Sequence, residues 1–542
     1  MKNSASESGL YIIESDEDVE KDLQKDENDG NESDYSNDSN ENQSMRKPSN
    51  YSIAWPQSYR QSIDLYGSVP SPNIGFLGTT SLSRLGSSFI SSSLTRRHTL
   101  EVLQPEKKPL LKPTEEEQPR HTLLPPQISR KSSIRISKVS HEPHIPGQCT
   151  FGQAVLNGIN ALCGIGILST PYAAKEGGWV GLSILLLYAV FSFYTGLLLR
   201  YCLDSAPGLE TYPDIGQAAF GTTGRVIISI ILYMELYACC IEYIIVESDN
   251  LSTLFPNAHI SLGGTQLNAH ILFAILTALA LLPTVWLRDL RILSYISACG
   301  VVATILVVLC LFWVCFVDNA DIHTQGTTTT FNFATFPVAI GLYGYCYAGH
   351  AVFPNLYTAM ANRNQFPGVL LVCFAICTTM YCAVAIMGYA AFGEATLSQY
   401  TLNMPQHLVA AKIAVWTTVV NPFTKYALSL SPVAMCLEEL IPTNSPNFFI
   451  YSKLIRTALV VSTLLVGLSV PFFGLVMSLT GSLLTMFVSL ILPAACFLSI
   501  RGGRITRFQV SLCVTIIAVG VVSSCFGSYS ALYEIIEELF KA

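Results

Sequence analysis

From Cys149 onward the chain is a series of apolar runs, each long enough to cross a bilayer, and only helices or closed barrels satisfy their backbone there. A helical span needs about 20 residues. Runs of that size lie near 150 to 172, 179 to 201, 224 to 254, 267 to 287, 291 to 317, 333 to 358, 366 to 392, 408 to 436, 451 to 471, 473 to 499 and 508 to 532. The sequence therefore predicts an all-α membrane protein with eleven transmembrane helices.

Lys and Arg, which favour cytosolic loops, test that count independently of hydropathy. With a cytosolic N-terminus, Arg200, Arg225, Arg288, Arg291, Arg363, Lys453, Arg456, Arg501, Arg504 and Arg507 all fall on the cytosolic side. Only Lys175 and Lys541 fall opposite, and Lys412 and Lys425 lie inside the eighth run. Eleven spans then place the C-terminus on the other side of the membrane.

Residues 1 to 148 differ in kind. They hold 17 of the 31 Lys and Arg and 21 of the 38 Asp and Glu, so the net charge of −7 describes the tail more than the membrane region. Rich in Ser, Asn and Pro, the tail lacks apolar surface to offset chain entropy, and disorder is expected. It opens with no secretory signal, and insertion is expected to use an internal run. Thr99, Ser132 and Ser133 follow basic residues, a setting that suits kinases, and phosphates there would change the local charge. "EKKPLL" places Glu106, Leu110 and Leu111 in the acidic-dileucine form read by clathrin-type adaptors. The 16 cysteines sit mostly in apolar runs without C-x-x-C spacing, so they read as small buried residues rather than metal ligands.

Two spans carry a matched interruption. "GILSTP" (166 to 171) and "GHAVFP" (349 to 354) both have glycine five residues before proline, preceded by "GINALCGIG" and "GLYGYCYAGH". Spans 1 to 5 (about 150 to 317) and 6 to 10 (about 333 to 499) cover similar lengths and start on opposite sides of the membrane. This is the layout of a 5+5 inverted repeat, whose broken helices frame a midplane site; the run at about 508 to 532 is an extra helix. Close helix packing is the alternative use of such glycines.

A broken helix frees amides and carbonyls that lipid cannot satisfy. Amides after Gly164 and Gly166, at Ile167, Leu168 and Ser169, suit a carboxylate, with Pro171 leaving a second irregularity. Carbonyls from Ala161 to Cys163 and from Tyr345 through Tyr347 and Ala348 to Gly349 suit an ammonium. An α-amino acid has both charges. Neither break contains Asp, Glu, Lys or Arg, which favours a neutral side chain, with Tyr345 and Tyr347 shaping its pocket.

"NALCGIGILSTPYAAKEGGW", "ELYACCIEYIIVESDNLSTLFP", "GYCYAGHAVFPNLYTAM" and "NPFTKYALSL" together closely resemble plant and fungal vacuolar amino acid transporters of the amino acid/auxin permease family. The resemblance runs from 148 to about 530. It implies a LeuT-like fold of ten core helices plus one, with helices 1 and 6 broken, and secondary active transport of amino acids coupled to protons. It also implies a vacuolar membrane with a lumenal C-terminus; the plasma membrane or another endomembrane is the alternative. Antiport and symport both remain open.

Ionisable residues inside spans mark candidate proton sites. Glu235, Glu242 and Asp249 recur every seven residues on one face of span 3, with Glu247 off it; Glu247 and Asp249 lie near the interface. Structural hydrogen bonding is the other role open to Glu235 and Glu242. In some proton-dependent relatives of this fold a lysine ammonium replaces a cation between spans 1 and 8, and Lys425 is placed to do so; otherwise it snorkels to the interface. His350 is either a proton switch or a neutral residue bonding the broken helix.

The expected partners are an amino acid, protons and the bilayer, with adaptors and kinases at the tail. No metal, cofactor or nucleic acid is expected. H-E-x-x-H, G-x-S-x-G, P-loop and G-x-G-x-x-G motifs are missing, so an enzyme is not expected. The alternative function is an amino acid sensor signalling through the tail.

Overall fold

The computed structural model describes residues 149–262, 265–287, 290–317, 327–442, 447–503 and 505–541. Thr99, Glu106, Leu110, Leu111, Ser132 and Ser133, together with the expectation of a disordered tail, lie outside the described residues.

The first helix, α1 (Phe151–Leu162), starts with a reciprocal cap. Thr150 Oγ1 accepts from Gln153 N, and Gln153 Oε1 accepts from Thr150 N at 2.9 Å, which satisfies two of the amides a helix start leaves free. After a short 3₁₀ turn (Ile165–Ser169), α2 covers Thr170–Leu203. Pro171 sits in the first turn of α2, where its missing N–H costs nothing; it begins a helix instead of adding the expected second irregularity.

The expected boundary between spans 1 and 2 falls at Gly178, whose φ of +67° interrupts α2. A Cβ there would lie 2.6 Å from Thr330 O, so the 327–331 segment packs on bare backbone, and Val180 N donates to Thr330 O at 3.0 Å. Glycine alone tolerates both constraints.

α3 (Tyr212–Leu254) begins with a second reciprocal cap between Thr211 and Asp214. Asp214 also accepts from Arg225 at 2.7 Å, which ties the entry turn to the helix beyond the kink at Gly221. A short antiparallel pair, β1 (Ile260–Leu262) and β2 (Thr265–Leu267), leads to α4 (Ala269–Trp286) and α5 (Leu290–Phe316). The second half opens with α6 (Phe336–Tyr345) and α7 (Phe353–Ala359), separated by turns, followed by α8 (Phe366–Phe392) and the short α9 (Tyr400–Asn403). The remaining helices are α10 (Val409–Glu438), α11 (Phe448–Ser469), α12 (Phe473–Thr480), α13 (Leu492–Arg501) and α14 (Arg507–Lys541). Two π turns, Gly481–Thr485 and Phe487–Ile491, connect α12 to α13.

Among the described residues, seven helices are long and apolar enough to cross a membrane. That is fewer than the eleven apolar runs because the 39-residue stretch Ile165–Leu203 joins parts of two of them, α6 and α7 are 10 and 7 residues long, and the qualifying part of α5, Gly300–Phe316, is also short. α10 has the length, at 30 residues, but carries Lys412, Asn421 and Lys425.

α10 packs chiefly on α5 and α3. Its end is pinned by a buried ion pair: Arg456 Nε donates to Glu438 Oε1 at 2.7 Å and Arg456 NH1 to Val285 O at 2.8 Å. Ser452 Oγ donates to the same carboxylate, so α4, α10 and α11 meet at one satisfied charge cluster.

Candidate functional site

Helical hydrogen bonding stops at Leu162 because the next residues turn away: Cys163 has φ −78° and ψ +78°, and Gly164 is extended. The orphaned carbonyls find other donors. Leu162 O accepts from the Tyr381 hydroxyl at 2.6 Å, and Cys163 O accepts from Lys425 Nζ at 3.1 Å. Lys425 is 7% exposed, so its ammonium is held against the break and does not reach the interface.

The second interruption, between α6 and α7, is a run of tight turns. Tyr347 N donates to Gly344 O, Ala348 N to Tyr345 O, and Gly349 N to Tyr347 O. Ser489 Oγ, from the second π turn, donates to Tyr347 O at 3.2 Å.

Between the two interruptions lies a cavity of about 110 Å³. α1 and the 3₁₀ turn contribute Ala161, Gly164 and Gly166; the α6–α7 turns contribute Tyr345 and Ala348; α3 contributes Glu235; α10 contributes Lys425. The wall thus carries one carboxyl and one ammonium. Glu235 Oε1 accepts from Thr485 Oγ1 at 2.8 Å. The Tyr345 ring lies against Gly166, where a Cβ would approach its Cδ1 to 3.1 Å, and the Tyr345 hydroxyl lies 3.0 Å from Cys239 Sγ.

Several expected site residues face elsewhere. In a 3₁₀ turn, i→i+3 bonding takes up the amides of Ile167, Leu168 and Ser169, which leaves those of Ile165 and Gly166 at the open end, on the cavity wall. The side chains of Ile167 and Leu168 border a second, much smaller cavity with Thr304, Thr418 and Asn421. Ser169 Oγ donates to Ser398 O at 2.9 Å. Cys163 offers its carbonyl to Lys425 while its thiol rests 3.4 Å from Cys377 Sγ.

Tyr347 does not shape the cavity: its ring stacks on Phe374 and its hydroxyl lies 3.0 Å from Thr378 Oγ1. Successive residues of tight turns point in different directions, which separates Tyr347 from Tyr345. Gly349 lies off the wall, where a Cβ would meet Leu162 at 2.8 Å. His350 is fully buried, with Nε2 3.0 Å from both Thr195 Oγ1 and Ser192 O, so it ties the turns to α2.

Glu242 is also fully buried, beside Tyr345. Glu247 is 2% exposed, packed inside the protein. Asp249 takes Gln399 Nε2 at 2.8 Å and lies 3.2 Å from His270 Nε2. Cys239, Tyr243 and Ser429 line the cavity without having been singled out from sequence. Their signal was periodicity, since Cys239 and Tyr243 follow Glu235 by four and eight residues and Ser429 follows Lys425 by four.

The model of the family described as "Transmembrane amino acid transporter protein" matches residues 147–533. This chain belongs to that family. It is similar to the Arabidopsis thaliana amino acid transporter AVT1C, at 64% identity over 99% of this chain and 100% of the relative. The Arabidopsis thaliana transporter AVT1B is 62% identical, over 99% and 100%. The Arabidopsis thaliana transporter ANT1 is 27% identical over 70% of this chain and 91% of its own. Among solved structures, a substrate-bound, outward-open Na⁺-coupled sialic acid symporter aligns with a TM-score of 0.44 at 14% identity, covering 72% of this chain and 88% of the symporter. MhsT in complex with L-phenylalanine aligns at 0.43 and 11%, covering 70% and 98%. The protein is a member of an amino acid transporter family and not an enzyme.

Proposed function

We propose that the protein is a proton-coupled secondary transporter of neutral amino acids in the vacuolar membrane. In this reading its eleven spans form a LeuT-like 5+5 inverted repeat plus one helix, with a cytosolic N-terminus and a lumenal C-terminus. The observation that carries it is the cavity between the two helix interruptions, with the Lys425 ammonium seated on the Cys163 carbonyl.

The substrate carboxylate meets the free amides of Ile165 and Gly166 at the start of the second helical segment, where the helix dipole favours negative charge. Its ammonium meets Glu235 and the carbonyls of the α6–α7 turns. Both backbone charges of the zwitterion are thereby matched, which leaves a neutral side chain against Tyr243, Tyr345 and Val352. Lys425 provides a fixed positive charge beside the break, where a free cation would otherwise neutralise the carbonyls. The vacuolar placement rests on the sequence resemblance to vacuolar transporters.

Uptake of radiolabelled neutral amino acids into proteoliposomes carrying a pH gradient of either sign tests this reading. Accumulation above equilibrium with one gradient sign, abolished by a protonophore, is the expected result. Uptake indifferent to the gradient would overturn proton coupling, and binding without uptake would point to a sensor.

A further inference from the structure

Glu242 lies in the middle of α3 with zero exposure, and both its carboxyl oxygens lack a hydrogen-bond partner among the described residues. The side chains of Tyr345 and Thr480 flank it; the Tyr345 hydroxyl also lies 3.0 Å from Cys239 Sγ, where either group can donate, and Thr480 Oγ1 donates to Val476 O at 2.9 Å. The titratable neighbours are Glu235, Cys239 and Cys240 from α3 itself and Tyr345 from α6; the described groups acting on the carboxyl include no basic side chain. Lys425, from α10, reaches Cys163 and Cys239 instead.

A bare carboxylate without a donor or counter-ion is costly to hold in such a place, and a buried ionisable group inside a span marks a relay or ion pathway. A proton is the one ligand small enough to remove the charge. Glu235, seven residues earlier on the same face, is about 10 Å away along the helix. It lines the cavity and has a donor, Thr485. Tyr345 lines the same cavity as Glu235, lies beside Glu242, and closes over Gly166.

We propose that Glu242 is the site that carries the coupled proton, and that Tyr345 is the positioning residue linking its occupancy to the substrate cavity. The inference rests on the proton-coupled reading above. The proton binds a carboxyl oxygen of Glu242 from one side of the membrane and leaves from it to the other; no bond to substrate forms or breaks. Substrate entering at Gly166 presses on the Tyr345 ring, and any shift of that ring moves the hydroxyl beside Glu242. Glu235 exchanges the proton with the water of the cavity.

The test uses the full-length protein in proteoliposomes, comparing wild type, Glu242→Gln, Glu242→Asp and Tyr345→Phe. One proton per amino acid supports about tenfold accumulation for a gradient of about one pH unit. Wild type is expected to approach that ratio. Glu242→Gln is expected to equilibrate without accumulating, and its counterflow is expected to lose pH dependence. Glu242→Asp is expected to restore partial accumulation with a displaced pH profile, and Tyr345→Phe to displace the profile of counterflow. Wild-type accumulation by Glu242→Gln would overturn the assignment, as would a pH profile identical to wild type in Glu242→Asp. A wild type that fails to accumulate under either gradient sign would instead overturn the proton-coupled reading, so the two failures are distinct.

Discussion

Gly164 and Gly166 stand two residues apart in one motif, and the structure predicts different consequences for adding a side chain to each. At Gly166 a Cβ would lie 3.1 Å from Tyr345 Cδ1, 3.6 Å from its Cε1 and 3.7 Å from the Cys346 Cα. Carbon contacts are optimal near 3.5–4.0 Å, so alanine requires the ring to yield by a few tenths of an ångström. Valine drives two more methyl groups into the same wall. The Tyr345 ring is constrained on its far side by Cys239 and Glu242 and cannot retreat freely. Overpacking of this kind costs about 1–3 kcal/mol, equivalent to a loss of about 5- to 150-fold in binding, with valine at the upper end. At Gly164 a Cβ would meet nothing within 4 Å and φ is −94°, which any residue adopts.

The expected order of damage is Gly164→Ala, then Gly166→Ala, then Gly166→Val. Scintillation-proximity binding of radiolabelled amino acid to purified protein measures it, with a thermal-shift assay to separate loss of the site from loss of the fold. Wild-type affinity in Gly166→Val, or equal damage from Gly164→Ala and Gly166→Val, would refute the reasoning.

Two further outcomes follow from buried charges. Lys425→Ala removes the donor to Cys163 O and a charge-assisted hydrogen bond worth about 1.5–3 kcal/mol; gradient-driven uptake is expected to fall more than tenfold, and unchanged uptake would exclude Lys425 from coupling. Arg456→Ala leaves Glu438 buried without its guanidinium partner. The expected cost is about 3–5 kcal/mol, seen as a lower melting temperature in detergent, with Arg456→Lys retaining part of it.

Much of the site was legible in the sequence because its cause is local. Glycine and proline clusters at 164–171 and 349–354 interrupt otherwise continuous apolar runs, and a lysine inside such a run needs a partner. Family membership was legible in the motifs surrounding those features. What remained hidden was direction. Hydrophobic period locates a face on a regular helix, but it says nothing about turns, so Tyr345 and Tyr347 could not be told apart although one lines the cavity and the other stacks on Phe374. The register of the 3₁₀ turn moved the open amides from Ile167, Leu168 and Ser169 to Ile165 and Gly166. Glu235 and Glu242 share a face yet differ in setting, because Thr485 donates to the first while both oxygens of the second lack a partner among the described residues. The last distinction depends on α6, α12 and the first π turn, all distant from α3 in sequence.

The central claim is that the two interruptions together read the charged backbone of an amino acid. Competition binding with three forms of one neutral substrate tests it most directly: the zwitterion, its methyl ester and its N-acetyl derivative. The zwitterion is expected to displace radiolabelled substrate, and both derivatives to lose at least tenfold, since each removes one charge that the broken helices match. Full competition by either derivative would contradict the account.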